Sequence, residues 1–175
     1  AYHIGGIDWL VKAGYAVLMY DYRGYGKSAG QPDREGTLKD MAAALAYVRN
    51  RPDVDKNRII AFGHSLGGAV SLASLGRSGD KSVKAVMTVG TFASYQDMAD
   101  GLAKGLGRNM VSNDLSPVDL IGGLKVPVLL LHGEDDPVVG VRRAVHPVDG
   151  LRGDLGGGGE AEAGVRGPDV VVDRL

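Results

Sequence analysis

The chain has 175 residues, enough for one ordinary domain, and its 20 Lys+Arg against 21 Asp+Glu leave a net charge of -1. That balance excludes binding of nucleic acid or an anionic membrane by bulk charge. The absence of Cys excludes disulfides, thiolate metal sites and a Cys nucleophile together, and no apolar run reaches the roughly 18 residues of a membrane span. The 28 glycines are about 16% of the chain, against a typical 7%.

In chain order, Ile7, Leu10 and Val11 share one helical face, and Gly14 stands where that helix ends. Residues 15–20, Tyr-Ala-Val-Leu-Met-Tyr, form the first apolar run and predict a strand. Thr37-Leu-Lys-Asp40 resembles a capping box, after which Met41, Ala42, Leu45 and Val48 follow at helical spacing. Residues 59–62, 83–89 and 126–131 predict three more strands, apolar without alternation as a parallel sheet buried on both faces demands. Helices are expected over residues 66–75 and around Met98, Leu102 and Leu106. Strands alternating with helices at this spacing predict an α/β fold built on a mostly parallel sheet.

Residues 140–175 differ in kind. They hold nine Gly and no aromatic residue, Ile, Met, Lys, Ser, Thr, Asn or Gln. The nine residue types present can all be written with codons beginning in G or C. Two origins fit this composition: a flexible tail from a GC-rich genome, or a shift of reading frame near Val139, which is the favoured one. The chain is therefore divided into residues 1–139, a partial α/β domain, and residues 140–175, a Gly/Arg/Val-rich tail. Around Gly156–Gly159 too little apolar surface exists to offset the entropy of ordering.

The chemistry gathers at Gly63-His64-Ser65-Leu66-Gly67-Gly68, between a predicted strand and a predicted helix. That is the setting of a nucleophile elbow, a turn so tight that small residues must stand two before and two after the Ser. It raises the hydroxyl at a helix N-terminus, where the dipole favours developing negative charge, and the backbone N–H of Leu66 is the candidate oxyanion donor. Neither a G-x-G-x-x-G fingerprint nor a Walker A pattern follows a strand, which argues against nucleotide binding.

With these residues in place the chain resembles the α/β-hydrolase family, nearest to its small-lid serine hydrolases of the serine aminopeptidase-like and lysophospholipase-like kind. Asp21-Tyr-Arg-Gly-Tyr-Gly-Lys-Ser28 looks like the family's D-x-R-G-x-G-x-S segment, and Leu131-His-Gly-Glu-Asp-Asp-Pro137 like its H-G-x-x-D segment. The resemblance covers roughly residues 4–139. It implies Ser65 as nucleophile and Asp136 as the acid that orients a histidine, with neighbouring Asp135 the competitor that caps the turn. It implies structural roles for His64 and His132, and loop-bracing roles for Asp21 and Arg23. The family's catalytic His falls some 25 to 35 residues beyond the acid, and residues 160–172 contain none; His146 is the sole tail histidine and comes too early.

The family's first three strands, with the H-G loop that supplies the second oxyanion donor, and its final strand–His loop have no counterpart in this reading, which takes the chain as a fragment. The expected function is a serine hydrolase of ester, thioester or peptide bonds with an incomplete triad, over an open site bordered by Phe92, Tyr95, Met98 and Met110. The alternative is a catalytically inactive hydrolase-like fragment or binding domain. No cofactor and no metal is expected, and no nucleic-acid partner. The substrate is a small molecule, acyl chain or peptide end. Oligomeric state is left open, as is the compartment: the cytoplasm is the default, and a signal peptide would precede residue 1.

Overall fold

The computed structural model describes residues 7–103, 105–133, 135–140, 163–164 and 170–174. The chain divides into two compact units, residues 1–54 and 55–175.

The first unit carries α1 (Asp8–Lys12) and α2 (Arg34–Asn50). Gly14 follows α1 at φ +89, a left-handed conformation that only glycine takes freely. α2 begins earlier than the capping-box reading places it. Asp33 is the N-cap, its Oδ1 accepting from Gly36 N at 2.6 Å, and Glu35 adds an acidic residue to the first turn. Thr37 lies inside the helix and its hydroxyl donates to the Arg34 carbonyl instead. Asp outcompetes Thr here because a carboxylate accepts the orphan N–H more strongly and also favours the dipole.

The strand predicted over residues 15–20 is not one in the structure, where no strand is assigned among the described residues of this unit. The segment remains apolar and exposed, with Tyr15, Val17, Leu18, Met19 and Tyr20 all open to solvent. A strand exists only through its ladder, so apolar composition without a paired neighbour leaves extended chain.

Beyond that segment the bracing expected of Asp21 and Arg23 is present. Arg23 Nε donates to both oxygens of Asp40 at 3.1 Å, its Nη2 to Oδ1 at 2.8 Å, and its backbone N to Oδ2 at 2.9 Å. A side chain on Gly36 would run into this guanidinium, and one on Gly26 into the Asp21 carboxylate. The Asp21 carbonyl also accepts from Ser28 Oγ at 2.8 Å, closing the loop.

The hydrogen bonds from Arg23 hold the Asp40 carboxyl below the usual carboxylate range, against the opposing effect of desolvation. A carboxyl depressed in the folded state contributes stability above its unfolded value of about 4, and loses it as pH falls through the folded value. Asp40→Asn is therefore expected to lower the urea midpoint at pH 7. The gap to the parent chain should close as pH drops below about 4, and a gap that persists unchanged at pH 3 would assign the effect to packing rather than charge.

The second unit is built on a five-stranded sheet in the order β1-β2-β3-β5-β4. Three of its strands, β1 (Ile60–His64), β2 (Ala85–Val89) and β3 (Val128–His132), are neighbours in parallel at the expected apolar runs. Helix α3 (Leu66–Ser78) follows β1 after the single residue Ser65 and packs against it, with Ala69, Val70, Leu72, Ala73 and Leu75 all buried. Val86, Val128, Ile121 and Leu124 complete this core.

The segment between β2 and β3 forms α4 (Tyr95–Leu102), α5 (Pro117–Leu120) and two 3-10 turns, Gly107–Asn109 and Ile121–Gly123. Met98 and Leu102 fall in α4 as the spacing predicts, and Leu106 lies beyond its end. α3 meets this segment so closely that a side chain on Gly76 would strike the Leu120 carbonyl, and one on Gly123 the Gly76 carbonyl.

One expectation is corrected at the far side of the sheet. The sequence reading ends the sheet at residues 126–131 and supplies no final strand, whereas β5 (Val170–Arg174) pairs parallel with β3 from Val128↔Val170 to His132↔Arg174. Ala163–Gly164, β4, pairs antiparallel with β5. Three successive valines, Val170 to Val172, have high strand propensity, and β3 would otherwise present an unpaired edge. The disorder expected around Gly156–Gly159 falls outside the described residues, as does His146.

Candidate active site

The site starts from a strained backbone. Ser65 sits between the last residue of β1 and the first of α3 with φ 51 and ψ -116, and is one of two non-glycine residues at positive φ among those described. Such a conformation costs on the order of 1–3 kcal/mol and persists only where the surroundings over-determine it. They do so here in three ways. Ser65 N donates to the Val89 carbonyl at 2.9 Å, tying the turn to the end of β2. Thr91 Oγ1 donates to the Ser65 carbonyl at 3.3 Å. Gly63 lies so close to Gly67 and Gly68 that a Cβ would overlap their backbone, and a Cβ on Gly68 would overlap Thr91 Oγ1.

Although Ser65 occupies the N-cap position of α3, its side chain makes no capping hydrogen bond. The hydroxyl is thereby not spent on the helix. Leu66 is the first residue of α3, so its N–H is one of the four that no carbonyl of the same helix can accept. It lies at the positive end of the helix dipole, immediately after the Ser, where the sequence places the oxyanion donor.

Asp136 stands in the loop after β3. Its Oδ1 accepts from the backbone N–H groups of Val138 and Val139, both at 2.9 Å, and its own N–H donates to the Gly133 carbonyl at 3.2 Å. The turn is thus capped by Asp136 itself, not by exposed Asp135, the residue weighed for that role. Oδ2 points elsewhere, 3.8 Å from His132 Nε2 and 3.5 Å from where a Cβ on Gly90 would stand. The Val139 N–H is the largest influence holding this carboxyl below its ordinary range; desolvation opposes it, and the Val138 N–H, His132 and His64 add to it. The carboxylate form is therefore the one the loop is built around.

The two histidines kept out of the catalytic set divide sharply. His132 is 3% exposed, and its Nε2–H donates to the Val139 carbonyl, so it staples the two ends of the acid loop together. His64 is exposed at the end of β1, and its Nε2 lies 3.7 Å from the same point above Gly90 that Asp136 Oδ2 approaches. Its nearness to the acid was not legible in the sequence, where 72 residues of chain separate the two.

Of the four residues expected to border the site, Phe92 is buried in a cluster with Ala69 and Val139, and Tyr95 and Met98 pack against that cluster. The Phe92 and Tyr95 rings meet edge-on with centroids 5.2 Å apart. Met110 is 75% exposed. α4 is held in place by Asn113, whose Oδ1 accepts from Ser94 Oγ at 2.7 Å and from fully buried Ser116 Oγ at 2.9 Å. Among the described residues no helix is long and apolar enough to cross a membrane.

A family model described as alpha/beta hydrolase fold matches residues 2–116. The uncharacterized protein YfhR of Escherichia coli K12 is 38% identical over 134 residues, which cover 76% of this chain and 47% of that protein. The alpha/beta hydrolase domain-containing protein WAV2 of Arabidopsis thaliana is 39% identical over 137 residues, covering 70% of this chain and 44% of that one. The chain thus spans about half the length of the curated relatives it matches.

Among solved structures, an esterase of Pyrococcus furiosus superposes with a TM-score of 0.64 at 24% identity, covering 82% of this chain and 58% of its own. An acylaminoacyl peptidase of Pyrococcus horikoshii superposes with a TM-score of 0.58 at 21% identity, covering 79% and 22%. At these identities the superpositions speak for the fold alone. The strand–turn–helix around Ser65, the parallel sheet beneath it and the family match over most of the described chain lead to one conclusion: the chain belongs to the alpha/beta hydrolase family.

Proposed function

We propose that this chain carries the nucleophile and acid of a serine hydrolase acting on ester, thioester or peptide bonds. The observation that carries the reading is the backbone of Ser65, strained at φ 51 and braced on three sides while its hydroxyl is left out of the helix cap. Strain of this kind at a half-buried nucleophilic side chain is retained where geometry serves chemistry.

In the reaction Ser65 Oγ attacks the substrate carbonyl carbon and forms the acyl-enzyme, while the Leu66 N–H stabilises the oxyanion. Asp136 orients and supports the histidine that takes the Ser65 proton and returns it to the leaving group. That histidine is unassigned. Residues 160–172 contain none, and this favours the second reading for the chain as it stands, an α/β-hydrolase domain with little turnover. A small acyl or peptide-end substrate suits the short connection over residues 91–125, which holds helices of at most eight residues.

A fluorophosphonate probe tests the nucleophile without requiring turnover. Incubation followed by peptide mass mapping is expected to place the adduct on Ser65, slowly but selectively, and Ser65→Ala should carry none. Adducts spread over other serines at the same rate would overturn the assignment.

A further inference from the structure

The ends of the three parallel strands lie in register, His64 opposite Val89 and Val89 opposite Leu131. One step further on, this row holds Ser65, Gly90 and His132. Ser65 N bonds to the Val89 carbonyl and Gly90 N to the Leu131 carbonyl, so the alignment carries past the strands into the turns. Adjacent strands are spaced about 4.8 Å apart, which puts the ends of β1 and β3 about 10 Å apart with β2 between them. Side chains from the two outer strands can meet at that distance only where the middle strand presents no side chain of its own. Gly90 is such a place. It has φ +58, which turns the chain away, and Asp136 Oδ2 and His64 Nε2 lie 3.5 and 3.7 Å from the point its Cβ would occupy.

We propose that His64 is a positioning residue for Asp136, drawing the acid loop toward the nucleophile turn across Gly90. Asp136 Oδ1 is already fixed by the Val138 and Val139 N–H groups, but these belong to the acid loop itself and set only its internal shape. His132 likewise joins β3 to its own loop. His64 differs from these because it belongs to β1 and directly precedes Ser65, so its attraction for the carboxylate acts between the two halves of the site. The attraction is electrostatic and requires the imidazolium form, since neutral imidazole carries no net charge. Across Gly90 His64 faces Asp136, whose carboxylate His132 also approaches, and Gly90 itself brings no charge. Gln at position 64 would keep the polarity and remove the charge.

This inference rests on the hydrolase reading for its significance, and its test does not. Urea midpoints of the full 175-residue chain are compared for the parent, His64→Gln, Asp136→Asn and the double variant, at pH 5.5 and pH 8.5. Two residues that interact electrostatically give a double variant that loses less than the two single losses together, whereas independent residues add. The expected result is clear non-additivity at pH 5.5 that shrinks at pH 8.5. A parallel cycle of His64→Gln with Asp135→Asn should be additive at both. Additivity of the Asp136 cycle at pH 5.5 overturns the proposal, as does non-additivity of equal size at both pH values, which would mean packing rather than charge. If Asp136→Asn fails to fold, the carbon-13 carboxyl signal of Asp136 in His64→Gln replaces it. Its titration midpoint should rise relative to the parent, and an unchanged midpoint overturns the proposal. Failure of the fluorophosphonate probe to label Ser65 would sink the hydrolase reading while leaving this coupling measurable, so the two failures are separable.

Discussion

Hydrolysis of p-nitrophenyl acetate by the 175-residue chain is expected to be feeble, on the order of 10³–10⁴-fold above the uncatalysed reaction, the residue left when one triad member is missing. Triad members act as a unit. Where the base is already absent, removing the nucleophile costs little more, so Ser65→Ala should lower this activity by no more than about tenfold. His146→Ala should leave it unchanged, since His146 follows Asp136 by ten residues, far short of the family's usual separation. The contrary result is distinctive. A loss of about a thousandfold or more on Ser65→Ala, matched on His146→Ala, would show that His146 completes the triad. Extending the chain to the length of its relatives and supplying an in-frame histidine after the last strand should restore turnover. Ser65→Ala should then cost the full effect, because the unit it belongs to would be whole.

Gly63→Ala is expected to damage both the stability of the second unit and the reactivity of Ser65. A methyl at Gly63 would overlap the backbone of Gly67 and Gly68, which cannot rotate away as a side chain could. Forcing one extra carbon into such a contact costs about 1–3 kcal/mol, read as a lower urea midpoint. The overlap can be relieved by moving β1 and the start of α3 apart, and Ser65 is the hinge between them. Fluorophosphonate labelling of Ser65 should therefore slow by more than the loss of folded protein explains.

Gly76→Ala supplies the control for that experiment. Its methyl would strike the Leu120 carbonyl at the other end of α3, remote from the turn. A comparable loss of stability with labelling unchanged per folded molecule is expected there. Equal slowing in both variants would assign the Gly63 effect to general loosening of α3 rather than to the elbow.

Much of this was open to inspection in the residues themselves. Three apolar runs became β1, β2 and β3, since a local property suffices to mark a strand, but the burial on both faces expected of them is not met: buried residues alternate with half-buried or exposed ones, Ile60 among the latter. The elbow at Ser65 was legible for the same reason. Its strain demands small residues at fixed positions, and Gly63, Gly67 and Gly68 stand at those positions in the sequence. Arg23 and Asp21 were read as braces, and brace the loop they lie in.

What depended on partners distant in the chain was not legible. Residues 15–20 have the composition of a strand and are none, since a ladder requires a second chain segment that local sequence cannot supply. Val170–Arg174 is a strand despite its Gly-rich surroundings, because the edge of β3 lies open to receive it. Asp136 was picked out by the resemblance of Leu131–Pro137 to the family's H-G-x-x-D segment. That its two oxygens divide their work, one capping its own turn and the other facing histidines from two strands, follows only from the register that brings His64, Gly90 and the acid loop into one row. Sequence alone marked the candidate residues, through the small residues that the elbow demands within a few positions and through resemblance to the family's motifs. Tertiary structure decided which of them meet, because strand pairing sets distances between residues that the chain itself holds far apart.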